Sequence, residues 1–296
     1  MSGAMASPAA GVLAVAVLVA TLRADPALPE RVTFPSADGR TTLIGYVYAS
    51  GDTVKERAPA VVMMHGRAGA YSSLARGRYD ASTLSQRHQM WGRLWAQQGY
   101  TAVLVDGYGP RDYWSGFGRG TYSSRPDDVN EVTVRPLDAY GALAYLRTRS
   151  DVLADRIGLH GWSNGASATL ATMAPDAPGI GEHTPAAGFR AALAFYPACD
   201  LRHRFDGGLK PYAPVRVLQG ADDEEVSPRV CQRLVERSRA QAGEIELILY
   251  PGATHDFDDP GNKRQSVEAN ASAKADAVMQ ALRFFAEQLS GAGREQ

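Results

Sequence analysis

Residues 156–170 read Arg-Ile-Gly-Leu-His-Gly-Trp-Ser-Asn-Gly-Ala-Ser-Ala-Thr-Leu, a short apolar run, then Gly161-Trp162-Ser163-Asn164-Gly165, then a helix-compatible stretch. This order predicts a strand that turns abruptly into a helix. Glycines two residues either side of the serine let the backbone pass where a Cβ would collide, so the serine hydroxyl projects from the sheet edge. Ser163 is therefore the first candidate nucleophile. Gly-x-Ser-x-Gly arises by chance in a chain with 30 glycines, so its weight depends on whether suitable partners follow it.

Short β-rich runs recur at Arg31 to Phe34, Thr42 to Tyr48, Ala60 to Met64, Thr101 to Val105, Arg156 to Gly161, Ala191 to Tyr196, Val215 to Gln219 and Ile245 to Tyr250. Helical patterning separates most of them, over Gln86 to Gln98, Pro136 to Arg149, Asn164 to Met173, Pro228 to Ala242 and Gln265 to Leu289. Strands alternating with helices predict an α/β fold, a mainly parallel sheet of about eight strands with helices on both faces. The first two strands, joined by Ser36-Ala37-Asp38-Gly39, predict an antiparallel hairpin at one edge. Two long segments without clear period, 67–85 and 107–130, follow the third and fourth strands. They emerge at the carboxyl ends of strands, where open α/β sheets bind ligands, and neither is long enough for a large cap.

At 296 residues the chain is long enough for one catalytic domain, expected over 25–296. Lys plus Arg number 31 against 32 for Asp plus Glu, a formal net charge of -1. No basic excess is available to neutralise a phosphate backbone, which argues against nucleic acid as a partner. No apolar run reaches the roughly 20 residues that a bilayer-spanning helix needs. Ala9 to Leu22 is uncharged and rich in Ala, Val and Leu, and Arg23-Ala24-Asp25-Pro26 follows it. We read residues 1–24 as a signal peptide, which predicts export to the periplasm or beyond. Two features depart from that pattern: Met1 to Pro8 lacks Lys and Arg, and Leu22 sits two places before Ala24. The alternatives are an uncleaved anchor or a packing helix, in a chain that stays in the cytoplasm. Cys199 and Cys231 would lie near the same edge of adjacent strands. A disulfide closing a loop of roughly 30 residues, worth ~3 kcal/mol, stands beside the alternative of two buried thiols.

A serine hydroxyl needs a base to take its proton and an acid to orient that base. For a serine on such a turn, the acid and then the histidine follow in sequence. Of His183, His203 and His255, only His255 also follows the acidic loop, and it lies directly after the last strand. The loop after Val215 to Gln219 offers Asp222, Asp223, Glu224 and Glu225, with those not used facing water or capping the next helix. Charge developing on a carbonyl oxygen must be met by preorganised N–H groups. The backbone amides of Asn164, at the helix start, and of Arg67, in the loop after the third strand, are the candidates. His65, at a strand end, reads as structural rather than as a second base. Substrate contacts are assigned to Arg111, Tyr108 and Trp162, with Arg67 also able to meet a carboxylate. For Arg111 the competing reading is a salt bridge to Asp106, Asp112 or Asp138. Neither a metal nor a cofactor is required.

Over residues 30 to 290 the chain resembles the dienelactone hydrolase-like branch of the α/β-hydrolases. The resemblance rests on the serine turn, on His65-Gly66-Arg67-Ala68-Gly69, on Asp106-Gly107-Tyr108-Gly109-Pro110-Arg111, on Arg135-Pro136-Leu137-Asp138, on Tyr196-Pro197-Ala198-Cys199 and on Pro251-Gly252-Ala253-Thr254-His255. It implies the α/β-hydrolase fold. It also implies Asp223 as the acid over Asp222, because Gly-x-x-Asp-x-x-Val is the usual form of this loop among related hydrolases. Dienelactone hydrolases proper carry cysteine where this chain has Ser163. A serine is shared with esterase-like members and with prolyl-oligopeptidase-type catalytic domains. The expected function is a serine hydrolase of small carboxylic esters or lactones, working through an acyl-enzyme. A serine peptidase, an acyltransferase and a non-catalytic binding relic are the competing readings.

Overall fold

A computed structural model of the chain describes residues 27–50 and 57–290. The expected signal peptide, residues 1–24, lies outside the described residues. The strands are β1 (Glu30–Pro35), β2 (Thr42–Tyr48), β3 (Ala58–Met64), β4 (Thr101–Asp106), β5 (Val152–Trp162), β6 (Ala191–Phe195), β7 (Val215–Gly220) and β8 (Ile245–Tyr250). They form one eight-stranded sheet in the order β1-β2-β4-β3-β5-β6-β7-β8. β1 with β2 and β2 with β4 are antiparallel, and every later pair is parallel. The helices are α1 (Gln86–Gln97), α2 (Arg135–Thr148), α3 (Asn164–Thr172), α4 (Pro228–Arg239), α5 (Asn262–Gln265) and α6 (Glu268–Leu289). This is the α/β-hydrolase fold, with no large cap among the described residues.

Strand alternation divides the core. Along β3, Ala60, Val62 and Met64 face one side with residues of α2, α3 and α4 such as Leu143, Leu170 and Leu234. Val61 and Met63 face the other, with Trp91 and Trp95 of α1 and Ala277, Ala281 and Phe285 of α6. Ala273, Ala277, Ala281, Phe285 and Leu289 recur every fourth residue, which keeps one α6 stripe buried. The expected single helix over 265–289 is interrupted at Val267, whose ψ of 112° is extended. The break leaves Gln265 free to donate from Nε2 to the carbonyls of Phe257 and Asp259, at 2.9 and 2.7 Å. The segments 67–85 and 107–130 carry only short 3-10 turns and lie over the carboxyl end of the sheet.

Candidate active site

Ser163 sits at the junction of β5 and α3 with φ 52° and ψ -117°, a conformation that costs a non-glycine residue on the order of 1–3 kcal/mol. The flanking glycines explain why the chain can hold it. A Cβ on Gly165 would run into the carbonyl groups of Met64 and His65, and one on Gly161 into the Gly165 carbonyl and the Thr169 hydroxyl. Ser163 N–H donates to Phe195 O at 2.8 Å and its own carbonyl accepts from Ser167 N–H at 2.9 Å, so the strained residue is held by its neighbours on both sides.

The last strand delivers the histidine. His255 lies in the loop after β8, with Nε2 3.0 Å from Ser163 Oγ and Nδ1 2.8 Å from Asp223 Oδ2. Asp223 follows β7, and its carboxylate is fully engaged. Oδ2 also accepts from Gln219 Nε2 at 2.7 Å, while Oδ1 accepts the amides of Glu225 and Val226, each at 2.9 Å. Asp222 points to solvent, so the structure brings Asp223, not Asp222, to the histidine. The imidazole is buried. Burial alone would pull its pKa down, yet the hydrogen bond to Asp223 and the charges of Asp256, Asp223 and Glu225 outweigh it and hold the pKa above the usual value.

Two amides face the serine. Gly66 brings the loop after β3 so close that a Cβ there would lie 3.3 Å from Trp162 O and 3.4 Å from Ser163 Cβ. Arg67, the next residue, borders the same cavity as Ser163 and Asn164. The backbone N–H groups of Arg67 and Asn164 have no hydrogen-bond acceptor among the described residues. Such a pair is what an oxyanion requires. His65 is buried between Gly66 O (2.7 Å from Nδ1) and Gly107 N–H (3.3 Å from Nε2), and burial pulls its pKa down. It braces the loop as a neutral ring.

The profile of the dienelactone hydrolase family matches residues 44–289. The chain belongs to the dienelactone hydrolase family. Membership makes it a hydrolase acting on ester bonds. Among solved structures it is similar to Thermogutta terrifontis esterase 2, at 21% identity and TM-score 0.60, over 90% of this chain and 97% of that one. It is also similar to a dienelactone hydrolase-like promiscuous phosphotriesterase from metagenomic libraries, at 17% identity and TM-score 0.64, over 89% of this chain and 100% of that one.

In this family member the three expected substrate contacts are placed elsewhere. Arg111 makes a bidentate pair with buried Asp138 (both 2.9 Å) and a single bond from Nη2 to Asp38 Oδ2 (3.2 Å). It ties the 107–111 turn to α2 and the β1–β2 hairpin, so the salt-bridge reading holds. Trp162 is fully buried and donates from Nε1 to Asp258 at 2.9 Å. Tyr108 is buried and donates to Asn164 Oδ1 at 2.8 Å, supporting the elbow from behind. The Arg67 guanidinium is also spent, in a bidentate pair with Glu225 at 2.9 and 3.0 Å.

Of the carboxylates expected to face water or cap α4, Glu224 is exposed as expected yet reaches the histidine loop, and Glu225 turns into the site. Glu224 accepts the His255 amide at 2.9 Å, and Glu225 lies 3.8 Å from His255 Nε2 while holding Arg67. Four carboxylates in a row give no sign of which oxygens turn inward, and only the acid at 223 had a pattern to select it. Asp258 and Arg135 were also missed, because a buried charge is legible only from its partners. Cys199 and Cys231 form a disulfide joining the loop after β6 to the first turn of α4.

Ser163 lies on the wall between two cavities. The larger, about 620 Å³, is bordered by Arg119, Tyr122, Arg125, Asn164, Asp200 and Val230, among others. The smaller, about 380 Å³, is bordered by Tyr71, Leu74, Ser85, His255, Asp256 and Asp259, among others.

Proposed function

We propose that the chain cleaves small carboxylic esters or lactones through an acyl-enzyme, with Ser163 as nucleophile, His255 as general base and then acid, and Asp223 as its orienting carboxylate. The observation that carries the reading is the continuous line from Ser163 Oγ through His255 (3.0 Å) to Asp223 (2.8 Å) at a strained elbow. Ser163 Oγ attacks the carbonyl carbon as Nε2 takes its proton. The Arg67 and Asn164 amides receive the oxyanion, and Nε2 returns the proton to the departing alcohol. Water then repeats the sequence on the acyl-serine and frees the acid. Thermogutta terrifontis esterase 2 is known phosphonylated by sarin and bound to propionate and butyrate, which favours short acyl groups and serine labelling here.

The test is hydrolysis of p-nitrophenyl acetate and butyrate by wild type and Ser163→Ala. A loss on the order of 10³-fold or more in the variant is expected. Equal rates, together with no fluorophosphonate labelling of Ser163, would overturn the reading in favour of a binding protein. We also infer export, since disulfides persist in oxidising compartments and Cys199 is bridged to Cys231. Sequencing the mature amino terminus from the native host checks this, with a start near Asp25 expected.

A further inference from the structure

The cavity that holds His255 must take the leaving group, because Nε2 delivers its proton to the departing oxygen. The smaller cavity meets that condition, and the larger therefore receives the acyl group. Most charges bordering the larger cavity are already paired. Arg67 and Arg119 pair with Glu225, at 2.9 and 3.0 Å, and Glu224 pairs with Arg264 at 3.0 Å and with Arg119 at 3.5 Å. Two are not. Arg125 donates from Nε to Thr121 Oγ1 at 3.3 Å, and its Nη groups make no hydrogen bond or ion pair among the described residues. Its guanidinium is fixed in place by the rings of Tyr122 and Phe117, 5.6 and 5.9 Å from their centroids. Burial disfavours the Arg125 cation and outweighs the support of Tyr108 and the nearby Glu131 carboxylate, so an arriving anion would relieve it. Asp200 borders the same cavity and makes no side-chain hydrogen bond or ion pair among the described residues.

We propose that the larger cavity recognises an acyl group of the amino-acid type, with its carboxylate on Arg125 and its ammonium on Asp200, and that the ester bond lies at the far end of that acyl chain. This rests on the ester-cleaving reading above and specifies its substrate class. One unpaired cation and one unpaired anion in one cavity suit a zwitterion better than a neutral or singly charged acyl chain, because either charge alone would leave the other protein group uncompensated.

Four ethyl esters separate the contributions: pentanoate, monoethyl glutarate, 4-aminopentanoate and the γ-ester of L-glutamate. The rate with Ser163→Ala is subtracted for spontaneous loss. Each charged group should raise kcat/KM on the order of tenfold, so the glutamate ester ranks first. Arg125→Gln should erase the gain from the carboxylate, and Asp200→Asn the gain from the ammonium. A ranking that neither substitution changes would overturn the proposal. So would equal destabilisation by both with no change in ranking, since that marks an Arg125–Asp200 pair that merely braces the loops. Calorimetric titration of the wild type with free L-glutamate is independent of turnover. If no ester is cleaved, the ester-cleaving reading fails, and the titration alone decides the subsite: binding lost in both variants keeps it, and no binding overturns it.

Discussion

Asp258 lies three residues beyond His255 and is fully buried. Its Oδ2 accepts the indole N–H groups of Trp91 at 2.7 Å and Trp162 at 2.9 Å, and its Oδ1 accepts the Tyr196 hydroxyl at 2.6 Å. Arg87 Nε completes the surroundings at 3.3 Å from Oδ1. One carboxylate thus joins α1, the end of β5, the residue after β6 and the histidine loop. In Asp258→Asn the amide oxygen can serve both indoles and Nδ2 can donate to a rotated Tyr196 hydroxyl, so the chief loss is the contact with Arg87. Arg87 retains Asp256 at 2.8 Å and Asp259 at 3.2 Å. The expected cost is about 2 kcal/mol, from the lost ion pair with Arg87 and from exchanging a charged acceptor for a neutral one. Asp258→Ala strands two indoles and a phenol in the core and should cost about 4 kcal/mol. Urea unfolding followed by tryptophan fluorescence measures both, with the slope unchanged. Ester hydrolysis should fall alongside, because the His255 loop loses its anchor. A cost below about 1 kcal/mol for the alanine variant would refute the claim that this carboxylate holds the four elements together.

Replacing both cysteines with serine should cost about 3.5 kcal/mol in the chain-entropy account, given the 32-residue separation of Cys199 and Cys231. Denaturant curves of the double variant should match those of the reduced wild type, and an unchanged midpoint would refute the estimate. The base form of His255 is the active one and its pKa is raised, so kcat/KM should climb with pH through a midpoint above 6.5. Glu225→Gln removes a negative charge 3.8 Å from Nε2, so that midpoint should move to lower pH; no movement, or an upward one, would count against Glu225 as a contributor. Gly165→Ala places a methyl group against the Met64 and His65 carbonyls, which cannot move without shifting β3. Loss of activity together with roughly 3 kcal/mol or more of stability is expected, and a well-folded, active variant would show that the α3–β3 contact is looser than it looks.

The sheet, its antiparallel edge and the positions of Ser163 and His255 were legible because each is encoded locally. Strands declare themselves by β-rich runs, the elbow by its glycines and the histidine by its place after β8, whereas the place after β7 left four carboxylates and only the resemblance selected Asp223. The residues around them were not legible in the same way. Arg111 and Tyr108 lie on the expected loop beside the site, yet a single turn decides whether a side chain faces the cavity or the core, and the turn at 109–111 sends Arg111 to Asp138. Trp162 precedes the serine, and alternation along β5 alone puts it on the α1 side, with Trp91 and Phe195. Asp258 and Arg87 could not have been paired from sequence, because their contact spans from the His255 loop to α1.

The group with the least conventional setting is Arg135, at the first turn of α2. Its guanidinium is fully buried, yet only Nη1 is bonded, to His65 O and to Asn164 Oδ1, both at 2.8 Å, while Nε and Nη2 lack partners. A buried cation with donors left unfilled costs stability, and a chain selected for stability alone would fill the space with apolar atoms. Its position resolves the conflict. His65 O belongs to the strand end that leads to the Arg67 amide, and Asn164 carries the other amide, so one guanidinium fixes the spacing of both. Under the proposed reaction it also sets a positive charge behind the amides, where negative charge develops on the carbonyl oxygen and where low dielectric strengthens the attraction. Both bonds leave one nitrogen, Nη1, and lysine would keep the charge but its flexible stem does not hold a nitrogen at that point as the rigid guanidinium plane does. Arg135→Lys should therefore lower kcat more than it raises KM, and Arg135→Met should lower it further while unfolding at no lower denaturant concentration than the lysine variant. If the methionine variant were instead the more active of the two, the charge would have no part in the reaction and Arg135 would serve packing alone.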